Sequence, residues 1–118
     1  MVVPPLAHLK ELRMATDADE TLRQEIAGLL AGGLETEVFP RAEDSAQVNA
    51  IVSRLQSEGK DLASKLVVAG FTDHTITADE LEQPCETCMY YLIKRRFCDL
   101  PELMLPVEPE WSCRLWRI

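Results

Sequence analysis

Apolar side chains recur at helical spacing along most of the first two thirds of the chain. Leu6, Leu9 and Leu12 stand three apart behind Pro4 and Pro5, and proline suits the first turn of a helix. Leu22, Ile26, Leu29 and Leu30 fall at i, i+4, i+7 and i+8, which is one stripe of a second helix. Thr16 or Asp17 supplies its N-cap, Asp19 and Glu20 favour its positive end, and Gly32-Gly33 closes it. Leu34 to Pro40 alternates apolar and polar; one such segment alone reads as an extended linker rather than a strand. Asp44 or Ser45 then caps a third helix with Val48, Ile51, Val52 and Leu55 facing inward. Leu62, Leu66 and Val67 resume the spacing after Gly59, and a break over residues 57–60 fits better than one bent helix. Gly70 ends that region. Thr77, with Glu80 three residues on, predicts a capping box for a short helix that stops before Pro84.

The pattern predicts a mainly α fold in two parts. Residues 1–83 form an acidic helical region, and residues 84–118 form a loop-rich module that holds every cysteine of the chain. Cys85, Cys88, Cys98 and Cys113 are separated by two, nine and fourteen residues. Five of the seven aromatic residues lie there as well: Tyr90, Tyr91, Phe97, Trp111 and Trp116. Residues 89–97 read as helical, and Pro101, Pro106 and Pro109 mark a loop that returns the chain past the cysteines.

Charge sharpens the division. Of 20 acidic and 12 basic side chains, residues 1–84 hold 15 and 7, and the rest hold 5 of each, so the whole net charge of −8 sits on the first part. Acidic surface repels a phosphate backbone, which argues against nucleic acid as a partner. Lys94-Arg95-Arg96, the one basic cluster, reads as a solvated helix face. The apolar runs are too short to cross a bilayer, and the first ten residues lack the basic start and apolar stretch of an export signal. The expectation is a cytoplasmic protein with no membrane association. That compartment keeps thiols reduced, so four cysteines are better read as ligands than as two disulfides.

Four thiols gathered by a fold can supply the thiolates of a zinc site or of an iron–sulfur cluster. A C-x-x-C pair lets two sulfurs point into one small space. Structural zinc sites usually show two such pairs, whereas Cys98 and Cys113 are solitary, which suits the wider ligand spacing of a cubane cluster. Both metals stay open on this ground.

C-x-x-C-x-Y, then a lone cysteine, then W-x-C-x-x-W resembles the ligand run of high-potential iron–sulfur proteins. It is similar also to the small subunits of benzylsuccinate synthase. The resemblance covers about the last 34 residues. It implies a [4Fe-4S] cluster on Cys85, Cys88, Cys98 and Cys113, with a role in electron transfer or in stabilising a partner subunit. The Cys88–Cys98 interval is shorter than in the soluble high-potential proteins, and the acidic helical region has no counterpart in them.

Other residues point less far. His8 and His74 read as surface or satisfied polar groups, and Asp73-His74 alone defines no triad. Glu80 and Glu82 suit a helix start better than an acid–base pair. Trp111 and Trp116 read as a shield for the metal, and Met89 and Met104 as core. Helices meeting at Gly59 give at most a poor helix-turn-helix, since residues 61–70 carry one basic side chain. A dithiol redox enzyme would need a strand–helix setting that is not legible here. The functional expectation is a small non-enzymatic accessory or adaptor protein. It binds a [4Fe-4S] cluster, or alternatively zinc, and docks a larger protein. A zinc-stabilised regulator, such as an acidic inhibitor, and an electron-transfer or redox-sensing protein are the alternatives.

Overall fold

The computed structural model describes residues 17–118, so the expected helix around Leu6, Leu9 and Leu12, together with His8, lies outside the described residues. Among the described residues three helices lead: α1 (Asp17–Ala31), α2 (Ser45–Glu58) and α3 (Leu62–Ala69). Five two-residue strands follow: β1 (Thr77–Ala78), β2 (Leu81–Glu82), β3 (Tyr91–Leu92), β4 (Phe97–Cys98) and β5 (Leu105–Pro106). They form an antiparallel β1–β2 pair and an antiparallel β3–β4–β5 sheet. The chain is α+β, not mainly α, and the correction falls entirely after Gly70.

The helices follow the sequence pattern closely. Asp17, Asp19 and Glu20 occupy the first turn of α1, where negative charge meets the positive helix end. Ile26 is fully buried while Leu22, Leu29 and Leu30 pack at the edge of the core. Gly33 takes φ +96 just past the end of α1. Residues 34–39 form no strand; the Glu37 N–H donates to the Val67 carbonyl at 2.9 Å. Asp44 caps α2 with a full capping box: its carboxylate accepts from the Gln47 N–H at 2.8 Å, and Gln47 Oε1 accepts from the Asp44 N–H at 3.2 Å. The break at Gly59 is real, with Asp61 restarting the chain as α3 through the Ser64 N–H at 2.8 Å.

Two expected helices are hairpins instead. Asp79 and Glu80 have φ of 52° and 63° and form the two-residue β1–β2 turn. Positive φ at both central positions gives the twist that a tight hairpin needs, and it excludes a helix start at Thr77. Residues 89–97 carry strand-favouring Tyr90, Tyr91 and Phe97, and here β3 turns back into β4. Arg23 of α1 holds that turn: Nη2 donates to the Arg95 and Arg96 carbonyls at 3.1 and 2.9 Å. Met89 and Met104, expected in the core, are 61% and 45% exposed, and Ile93 is 76% exposed.

One core serves both parts of the chain. Ile26, Ile51, Leu55, Leu66 and Val68 from the helices meet Leu100, Leu103, Leu105, Val107, Trp111 and Leu115 from the cysteine segment. The tail is the deepest piece: residues 111–116 are all buried. Thr72 and Ser112 exchange backbone hydrogen bonds of 2.8 and 3.2 Å, the Arg114 N–H donates to the Ala69 carbonyl, and the Ala42 N–H donates to the Arg114 carbonyl. The tail thus runs between the end of α3 and the segment before α2.

Candidate metal centre

The four cysteines arrive on three stretches of backbone. Cys85 opens a three-residue 3-10 turn (Cys85–Thr87), and Cys88 follows it, its N–H donating to the Cys85 carbonyl at 3.0 Å. Cys98 ends β4, paired with Tyr91 on one side and Leu105 on the other. Cys113 sits on the buried tail. The Cys85 N–H donates to the Trp111 carbonyl at 2.6 Å, which ties the C-x-x-C turn to the tail two residues before Cys113. Trp116 closes the arrangement, its Nε1–H donating to Pro84 O and Thr87 Oγ1, each at 3.0 Å.

These elements bring all four thiols to one cavity. Cys85, Cys88, Cys98 and Cys113 line it together with Phe71, Tyr91, Val107 and Trp116, and its volume is about 20 Å³. All four cysteines are free thiols; Cys85 and Cys113 are buried, Cys88 and Cys98 half-buried. Among the described residues, no three His, Cys, Asp or Glu side chains are spaced to grip a single metal ion. The four sulfurs border a common space without closing on one point.

Burial and mutual proximity govern their protonation. Burial, followed by the neighbouring Cys113, Cys98 and Cys88 charges, pushes the Cys85 thiol well above its usual value. Burial likewise raises Cys113, with Cys98 and Cys88 adding to it. Cys98 is pushed up to about 12, chiefly by burial. Each of these thiols stays protonated near neutrality unless a cation takes the proton's place.

Sequence reasoning located the four cysteines, Tyr91 and Trp116 but not Phe71 or Val107. Phe71 directly follows the left-handed Gly70 that ends α3, and its N–H donates to the Leu66 carbonyl at 3.1 Å, which turns the ring towards the cysteines. Its place after a helix-ending glycine was the available signal. Trp111 is buried in the core and does not line the cavity. His74 lies apart, exposed, with Nδ1 3.1 Å from the Asp73 carboxylate. The basic cluster is not a solvated helix face. Arg95 pairs with Asp19 at 2.7 Å and stacks over the Phe97 ring at 3.7 Å, and Arg96 pairs with Glu20 and Glu108.

Compared with protein-family models, curated proteins and solved structures, the chain matches none. No helix among the described residues is long and apolar enough to cross a membrane.

Proposed function

We propose that this protein binds a [4Fe-4S] cluster through Cys85, Cys88, Cys98 and Cys113 and acts as a small non-enzymatic accessory protein to a larger protein partner. The observation that carries this reading is the shared cavity, bordered by four free thiols drawn from three separate stretches of chain. Well-packed interiors leave few voids, and a void lined by thiols and apolar groups offers water too few partners. A single zinc ion needs sulfurs about 2.3 Å from the metal, hence about 3.8 Å from one another. Among the described residues no three such side chains are placed to hold a metal ion, so the reading rests on the shared cavity and its four free thiols.

Bound there, a cluster supplies a one-electron store and a cross-link between the C-x-x-C turn, β4 and the tail. The protein's own part is to hold four sulfurs in place and exclude water. Phe71, Tyr91, Val107 and Trp116 do the latter. The exposed side chains of Met89 and Ile93, on the stretch just after Cys88, give an apolar surface for a partner protein. Electron exchange is the second reading, favoured by half-buried Cys88 and Cys98, which bring one side of the centre near the surface.

Protein purified without oxygen tests the reading. Iron and acid-labile sulfide in equal amounts, with a brown colour, support the cluster. Zinc alone, or no metal, rejects it. A reversible reduction potential then favours electron exchange over a purely structural brace.

A further inference from the structure

Three arginines are buried among the described residues: Arg23, Arg41 and Arg114. Arg23 has Glu20 as its carboxylate partner, and Arg114 has Glu37 at 3.4 Å. Arg41 has none. Its Nε–H donates to Gln83 Oε1 at 3.0 Å, Nη1 to the Val38 carbonyl at 3.3 Å, and Nη2 to Ser112 Oγ and the Cys113 carbonyl, both at 2.8 Å. All four acceptors are neutral, and the residue is only 7% exposed. A fold does not ordinarily bury a full positive charge against neutral dipoles alone, because desolvation is costly without an anion nearby.

The cleft on its outer side holds Glu43 and Asp79, yet neither forms an ion pair with it. On its inner side Arg41 hydrogen-bonds the backbone carbonyl of Cys113, one of the four cysteines that line the cavity. Four thiolates carry more negative charge than an iron–sulfide core cancels, and each added electron increases the excess. A fixed cation hydrogen-bonded to the backbone of one ligand residue favours the more negative, reduced state.

We propose that Arg41 is the built-in counter-charge of the four-cysteine centre and raises the reduction potential of a cluster held there. The proposal rests on the cluster reading above. Arg41 touches the ligand backbone rather than the metal, so it is a positioning and tuning residue. Its hydrogen bonds to Ser112 and Cys113 fix the tail, and its charge sets the electron affinity.

The test is potentiometric titration of the anaerobically loaded full chain with dithionite, followed by electron paramagnetic resonance, for the wild type and the variants R41Q, R41K and Q83E. R41Q removes the charge. Q83E keeps the guanidinium but places a carboxylate on Nε, which neutralises it through a new ion pair. Each should lower the one-electron reduction constant about tenfold, a shift of about 59 mV to more negative potential. R41K keeps the charge and should stay within about threefold of the wild type. R41Q and Q83E at the wild-type potential, or R41K falling as far as R41Q, would overturn the proposal. If R41Q takes up no iron, Q83E decides by its potential. If neither takes up iron, R41K decides by loading: uptake at the wild-type level supports the charge, and loss equal to that of R41Q overturns it. Wild-type protein without iron and sulfide sinks the cluster reading instead, a result separate from any of these.

Discussion

Asp19 in the first turn of α1 and Arg95 in the β3–β4 turn form a two-pronged ion pair, with Nε and Nη2 donating to the carboxylate at 2.7 and 3.1 Å. The Asp19 side chain is 8% exposed and that of Arg95 is 30%. Arg23, one turn further along α1, caps the same hairpin turn through its carbonyls. The acidic helical part and the cysteine segment are therefore joined by charge as well as by apolar packing. R95A removes both of these hydrogen bonds from the buried Asp19 carboxylate and should cost about 2 kcal/mol. Chemical denaturation reads this, and D19N combined with R95A should be less destabilising than the separate losses added together. Strictly additive losses would show that the pair contributes nothing.

Gly70 is fixed by two constraints at once. Its φ of +70 lies in the left-handed region, and a Cβ there would run into the Glu37 carbonyl and the Arg114 side chain. Gly33 has φ +96 with open space around it. G70A should therefore cost about 3 kcal/mol, from strain plus displaced backbone, and G33A about 1 kcal/mol from strain alone. Equal losses in urea denaturation would mean that the close approach at Gly70 carries no weight.

The helices were legible because their signals are local. Asp44 with Gln47, Asp61 with Ser64, and the left-handed Gly70 set boundaries within a few residues of chain, and Ile26, Ile51, Leu55 and Leu66 mark the buried faces. The cysteine segment was legible in composition but not in backbone. Residues 89–97 have acceptable helix spacing, and the partners that hold their hairpin are distant: Arg23, far earlier in the chain, takes the carbonyls of Arg95 and Arg96, and β4 pairs with β5. The exposure of Met89 follows from the same change, since the expected helix set its face; Met104, also expected in the core, lies in the proline-marked loop and is exposed. Convergence of the four cysteines was expected from their number and spacing. Phe71 was marked only by its place after the helix-ending Gly70, and Arg41 by nothing local, because it meets Ser112 and Cys113 through the path of the tail.

Removing a ligand should be felt beyond the cysteine segment. Cys113 lies on a strip held by the Arg114 N–H on Ala69 and by the Ala42 N–H on Arg114. If a cluster braces that strip, C113S should lower bound iron by about tenfold or more and leave a buried hydroxyl in an apolar cavity. Because Ile26 and Leu66 share their core with Leu105, Val107 and Leu115, the helical signal should then melt at lower temperature too. Iron analysis and far-ultraviolet circular dichroism on the same sample check this. Full iron in C113S, or a helical melting curve unmoved by iron loss, would contradict it.

Glu37 gives the fold an acid-sensitive joint. Its carboxylate accepts from Arg54 at 2.8 and 2.7 Å and from Arg114 at 3.4 Å, linking the segment before α2 to α2 and to the tail. The hydrogen bond from Arg54 holds Glu37 below its usual value of 4.5, with the Arg54 and Arg114 charges assisting. Glu58, on the same guanidinium, is lowered in the same way. A folded value below the unfolded one means that the unfolded chain takes up protons first as the solution is acidified. The stabilisation is thus complete above about pH 4.5 and is lost as pH falls through the depressed folded value. E37Q removes that contribution, leaves Arg114 without a carboxylate, and should cost about 1 kcal/mol at neutral pH. Its stability should also decline less steeply than that of the wild type below pH 4.5. Parallel acid-denaturation curves for the two proteins would show that Glu37 does not set the acid limit.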